Sequence, residues 1–143
     1  MNTVTTQNVS QAQAQAVIAA ALAEAERRGT RVNIAVVDAA ANLTAFVRMD
    51  AAWLGTIDVA VKKARTAALF QMSTGSLDEL VQPGAPLYGL DTTNEGLIVF
   101  AGGEPLSNAD GTVIGAVGVS GSTVENDHAT ALAGAAALSE RAP

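Results

Sequence analysis

Chemistry has few places to start in this chain, because His128 is the only histidine among 143 residues and cysteine is absent. Without cysteine there are no disulfides, zinc–thiolate sites, iron–sulfur clusters or thiolate nucleophiles. His128 is therefore the only imidazole available to a metal, and histidine is the one side-chain type whose reference pKa lies near neutrality. His128 falls in helical register with Val124, Ala131, Ala135 and Leu138, a mostly apolar stripe. A partly buried histidine hydrogen-bonded near a helix start fits that stripe as well as a ligand does. Asp127 and Glu125 stand beside it, and the three form a candidate acid–base set in which Arg48 or Lys63 would hold an anionic group.

The remaining candidates each carry two readings. Arg48, Lys63 and Arg65 are cations suited to carboxylates or propionates, or they form ordinary surface pairs. Tyr88, Met49, Met72 or a threonine oxygen could contact a bound ligand. Gly102-Gly103-Glu104-Pro105 makes a sharp turn that either sets Gly103 amides and Glu104 beside a pocket or merely turns. Gly118 leaves room for a ligand cavity or for close approach of a helix. Ser120-Gly121-Ser122 opens a helix and offers free amides to an anion, but Glu125 and Asp127 already occupy that first turn, so capping is the simpler role. Ser120 does not lie in a Gly-x-Ser-x-Gly elbow, and Gly115, Gly118 and Gly121 have the wrong spacing for a dinucleotide fingerprint.

These residues need elements to position them. Ala14, Val17, Ile18, Ala21, Leu22 and Ala25 recur at helical spacing and predict a helix over Ser10 to Arg28, with Ser10 and Gln13 as a capping box and Gly29 as the stop. Val32 to Asp38 is a β-branched apolar run, hence a central strand, with Leu43 to Met49 as its hairpin partner. Thr56 to Phe70 predicts a second helix with Ile57, Ala60, Ala64, Ala67 and Ala68 inward and an Asp58–Lys62 pair outside. A short helix is expected over Ser76 to Val81, before Pro83, Gly84, Pro86 and Gly89 break regular structure. Leu97 to Ala101 reads as a third strand, Glu104 to Ser107 as a fourth, and Thr112 to Ser120 as a fifth, joined by an Asp110-Gly111 turn. The last helix runs from Ser122, boxed with Glu125, to about Arg141. Two hairpin groups separated by helices favour an antiparallel sheet covered by helices over alternating βαβ units.

The bulk numbers set limits on partners. With 143 residues, 49% of them hydrophobic, one domain over residues 1–143 with an alanine- and valine-rich core is expected. A net charge of −6 repels phosphate backbones, and stacking aromatics interleaved with basic residues are missing, so nucleic acid is not an expected partner. The polar, uncharged start and the lack of a long apolar run favour a cytoplasmic protein with no membrane association.

Five segments in order carry a resemblance: Val36 to Asp38 at a turn, Phe46-Val47-Arg48-Met49-Asp50, Lys63-Ala64-Arg65-Thr66-Ala67, Gly102-Gly103-Glu104-Pro105-Leu106, and Ile114 to Gly121 with Asp127 following. Together they cover essentially the whole chain, which resembles the GlcG/HbpS-like family, the haem-binding or haem-degrading domain family that includes the C-terminal domain of PduO-type proteins. The resemblance implies an α/β fold of the α+β type, a five-stranded antiparallel sheet in a profilin-like three-layer arrangement. It also implies assembly into dimers or octamers, and haem or a related tetrapyrrole as ligand in some members. Ala41 and Ala51 stand where the family commonly has glycine; Asn42 would then take the left-handed turn position. Some haem-binding relatives carry an iron ligand on the first helix, but Ser10 to Arg28 contains no histidine, methionine or tyrosine, and Glu24 and Glu26, two apart, point to different helix faces, unlike the Glu-x-x-Glu pair with which relatives bind iron. No metal site is therefore expected on that helix. Two functions follow: a small-molecule-binding protein holding haem or a similar flat ligand in an oligomer cleft, or a cofactor-independent isomerase, cyclase or hydrolase using His128 on a small organic acid or ring compound.

Overall fold

The first helix begins where its capping signals place it. Ser10 Oγ accepts the Gln13 amide at 3.1 Å while Gln13 Oε1 accepts the Ser10 amide at 2.9 Å, and α1 runs over Gln11–Arg27. The structure is a computed structural model and describes residues 1–139. Next come β1 (Asn33–Asp38), β2 (Leu43–Arg48) and α2 (Thr56–Phe70), then an irregular stretch with two short 3-10 turns, and finally β3 (Gly103–Ser107), β4 (Val113–Ser120) and α3 (Val124–Ser139). The predicted end of the last helix at Arg141 lies outside the described residues. No helix among the described residues is long and apolar enough to cross a membrane.

Among the described residues the sheet has four strands in the order β2-β1-β4-β3, all pairs antiparallel, so the expected five strands are corrected to four. The missing one is Leu97 to Ala101. Its backbone groups are bonded elsewhere: the Leu97 amide donates to the Asp91 carbonyl at 2.9 Å, the Ile98 amide to Thr66 Oγ1 at 3.1 Å, and the Phe100 carbonyl accepts the Thr74 hydroxyl at 2.7 Å. Three of its backbone groups are thus taken by α2 and the two 3-10 turns instead of by a neighbouring strand. The outer edge of β3 therefore carries no strand. The short helix expected at Ser76 to Val81 is a 3-10 turn over Thr74–Leu80.

The sheet separates two unlike layers. On one face α2 presents Ala60, Ala64, Ala67 and Ala68 to Ala35, Val37 and Ala116. On the other, α1 and α3 cover Val32, Ile34, Val36, Val117 and Val119. Strand alternation produces this split, since successive residues of β1 point to opposite faces.

The β1–β2 turn departs from expectation. Ala41 rather than Asn42 is left-handed, with φ 65°. Asp38 Oδ1 accepts the amides of both Ala40 and Asn42 at 2.9 Å, and this bracket forces the positive angle onto the residue between them. Ala51, ahead of the exposed Trp53, takes φ 65° as well. An alanine in this region costs about 1–2 kcal/mol.

Candidate functional site

The start of α3 is built differently from the expected Ser122–Glu125 box. Thr123 Oγ1 accepts the Asn126 amide at 3.1 Å, and Glu125 is exposed. Asp127 turns back into the protein, where Oδ1 accepts the Ser122 amide at 3.0 Å and Oδ2 lies 3.3 Å from Lys63 Nζ. Those amides are thus engaged by the chain's own carboxylate.

Lys63 is fully buried. Its ammonium donates to the Val119 carbonyl at 2.8 Å and sits 5.0 Å from the centre of the Phe100 ring. Burial pushes the Lys63 ammonium below its ordinary value against the opposing pull of Asp127, and raises the Asp127 carboxyl against the opposing pull of Lys63. The pair is a strut between α2 and α3, and neither member is placed for proton transfer with His128 or for holding a ligand. The Gly118 cavity is likewise closed. A Cβ there would stand 2.1 Å from the Ala60 carbonyl oxygen and 2.5 Å from the Ala64 nitrogen, so the glycine admits the α2 backbone. At Gly103 the same construction meets the Lys63 carbonyl oxygen at 2.5 Å. Ser120 is buried opposite Asn33 in the β1–β4 ladder.

His128 follows Asp127 and is rotated by one helical step, which sends its ring away from the Lys63 strut. Its Nδ1 is buried and lies 3.3 Å from Glu104 Oε1, but the ring is out of line for a hydrogen bond. The side chain as a whole is 41% exposed, so its open edge is the one bearing Nε2. Glu104 projects from edge strand β3 and is 8% exposed; its Oε1 accepts the Ser73 hydroxyl at 2.7 Å. Ser73, Glu104 and His128 therefore form a row from the end of α2, across β3, to α3.

Of that row, Glu104 also lines a groove of about 550 Å³ between α3 and β3, together with Pro105, Leu132, Ala135, Ala136 and Leu138 among others; His128 and Ser73 lie beside it rather than in its lining. Leu132, Ala135 and Ala136 follow His128 on the same helical face, one and two turns on. Arg48 lines a separate depression of about 470 Å³ with Leu22, Arg31, Met49 and Asp50. Tyr88 is exposed in the irregular stretch. The structure thus brings together His128 and Glu104, and of the candidate site residues only Glu104 lines the groove; His128, Arg48, Lys63, Tyr88, Asp127 and Glu125 are not in its lining. Ser73 was not legible as a candidate. The available signal was strand alternation, which puts Glu104 and Gly103 on opposite faces, but using it requires knowing that β3 is the edge beside α3.

A three-layer protein with an antiparallel sheet, a buried lysine–aspartate strut and an imidazole beside the carboxylate that lines an edge groove is the class that fold and site define. The sequence signature described as "Haem degrading protein HbpS-like" matches residues 9–136, and the chain belongs to the HbpS-like family. A 15.0 kDa protein from the dhaT-dhaS intergenic region of Citrobacter freundii is 42% identical over 84% of this chain and 89% of its own. The crystal structure of Klebsiella pneumoniae protein ORFY superposes with a TM-score of 0.93 at 38% identity, covering 97% of each chain. A crystal structure of a PduOC:haem complex superposes with a TM-score of 0.86 at 37% identity, covering 91% of this chain and 94% of the other.

Proposed function

We propose that this chain binds haem or a closely related tetrapyrrole in the groove between α3 and β3, with His128 Nε2 as the iron ligand. The observation that carries the reading is the half-exposed His128 ring, buried at Nδ1 beside Glu104, the carboxylate that lines the groove. Iron-binding histidines commonly rest their second nitrogen on a carboxylate. Leu132, Ala135, Ala136 and Leu138 would supply apolar wall for the macrocycle, and His128, beside the groove, would be the residue to hold its iron. No lysine or arginine lines the groove among the described residues, so propionates would face solvent. Bound haem would supply iron-centred ligand chemistry. The chain's own part is to hold the imidazole, cover one face of the ring and keep water from it.

The PduOC:haem complex among the structural relatives supports this reading over a cofactor-independent enzyme. Such an enzyme would use the same imidazole, with Glu104 in place of Asp127 or Glu125. Self-association into dimers or octamers finds support in the exposed Trp53, Leu54 and Tyr88. Titration with haemin tests the proposal: a Soret band should sharpen and shift, and His128→Ala should weaken binding about 10-fold or more. Absorbance equal to that of free haemin at saturation would remove the haem reading.

A further inference from the structure

Among the described residues Glu104 is the one titratable side chain in the lining of the groove between α3 and β3. Most of the wall around it is apolar, from Pro105, Leu132, Ala135 and Leu138, with neutral Ser107 and Asn108 beside them. The Glu104 side chain is only 10% exposed, and its two oxygens are used unequally. Oε1 accepts the Ser73 hydroxyl at 2.7 Å, and His128 Nδ1 stands 3.3 Å from the same oxygen without a hydrogen bond. No described residue donates to Oε2. The enclosed polar atoms that lack a partner among the described residues are Asn33 Oδ1, His128 Nδ1 and Thr130 Oγ1. Oε2 is not one of these, so it opens at the surface of the groove that Glu104 lines.

A carboxylate in that position is an unbalanced charge. Burial strips water from it, and the Ser73 hydroxyl is a single neutral donor. No lysine or arginine stands in the groove to offset it. Lys63 is committed to Asp127, and Arg31 and Arg48 line the separate depression beside β2. The geometry points to the groove as a site for apolar ligands that carry a cationic nitrogen, docked on Glu104 Oε2. An ammonium would supply the missing donor in a charge-assisted hydrogen bond, the stronger kind. The apolar body of the ligand would lie along Leu132, Ala135 and Leu138. The groove's volume of about 550 Å³ suits a small molecule and leaves room for a bicyclic aromatic ring. An anionic ligand of the same shape would bring a second negative charge to Glu104, and a neutral one would gain only the apolar wall. This goes beyond the haem reading and needs neither iron nor His128.

Naphthylmethylamine, naphthylmethanol and naphthoate share one shape and differ in charge, so they test the inference as probes. In amide NMR titrations at neutral pH and fixed ionic strength, the amine should shift the Glu104, Leu132 and Ala135 signals. It should bind about 10-fold or more tightly than the alcohol, and naphthoate should bind no better than the alcohol. Glu104→Gln keeps the size and the acceptor for Ser73 but not the charge, and should bring the amine down to the level of the alcohol. Glu79→Gln, at an exposed position outside the groove, removes the same unit of charge and should leave the preference intact. An amine that fails to bind, or binds no better than the alcohol, would overturn the inference. So would a preference that survives Glu104→Gln, because it would trace the attraction to the net charge of −6. Should Glu104→Gln fail the circular dichroism check for folding, the ranking of the three probes on wild type and on Glu79→Gln decides the question. A Soret response to haemin without an amine preference would sink this inference and leave the haem reading standing; the reverse pattern would do the opposite.

Discussion

The two faces of the sheet solve packing in opposite ways. Toward α2 the sheet presents Ala35, Ala116, Gly118 and Gly103, and the helix answers with alanines, so backbone lies nearly on backbone. Toward α1 and α3 it presents Ile34, Val36, Val117 and Val119, and these larger side chains hold the helices off. The close face has no room for a ligand, and its one large polar group, Lys63, is consumed by an internal strut. The wide face lets α3 lie against the edge strand without sealing it, and a groove lined by Glu104 results, with His128 beside that carboxylate. Small residues in the sheet thus mark where α2 approaches closely, and of the two readings that Gly118 offered it is the close helix approach that the structure bears out.

The sharpest way to break this comparison is at the strut. Lys63→Met should cost about 3–5 kcal/mol, because it strands a buried Asp127 carboxylate, whereas Lys63→Met with Asp127→Leu should recover most of that loss. Urea denaturation would measure both. The pH dependence follows from the shifts. The raised Asp127 value contributes stability below its unfolded value, lost as pH rises through the folded one. The lowered Lys63 value contributes stability above its unfolded value, lost as pH falls through the folded one. The charged pair therefore contributes least between those limits, and the double variant should compare best with wild type near neutrality.

A matched pair of glycines gives the next effect in size. Gly118→Ala drives a Cβ to 2.1 Å from the Ala60 carbonyl oxygen, a backbone atom with no way to yield, and should cost about 3 kcal/mol. Gly134→Ala on α3 meets Val17 Cγ1 at 3.2 Å and Ala21 Cβ at 3.3 Å, and its tighter fit is offset by about 1 kcal/mol of helix propensity. Its net effect should stay within about 1 kcal/mol in the same assay. Equal costs at both positions would mean that the two faces are packed alike.

The helices and paired strands were legible because their signals are local: the Ser10–Gln13 box, the alanine stripe of α2 and the β-branched run of β1 all read true. The site was only half legible. Glu104 and His128 each stood out by type, but their partnership depends on β3 being the edge strand beside α3, a fact about strand order that no local window contains. Leu97 to Ala101 failed for a related reason. Its composition suits a strand, yet Thr66, Thr74 and Asp91, far off in sequence or in a loop, take its hydrogen bonds. Asp127 looked like a catalytic neighbour of His128, but adjacent residues on a helix point about 100° apart.

Lys63 lies on α2, and the groups it holds, the Val119 carbonyl and the Asp127 carboxylate, belong to the end of β4 and the first turn of α3. Opening α3 therefore means uncovering an ammonium rooted in the opposite layer. The two helices form one cooperative unit, whose amides should exchange with solvent together, and His128, at the turn where that unit is pinned, sits on the part of α3 least free to fray.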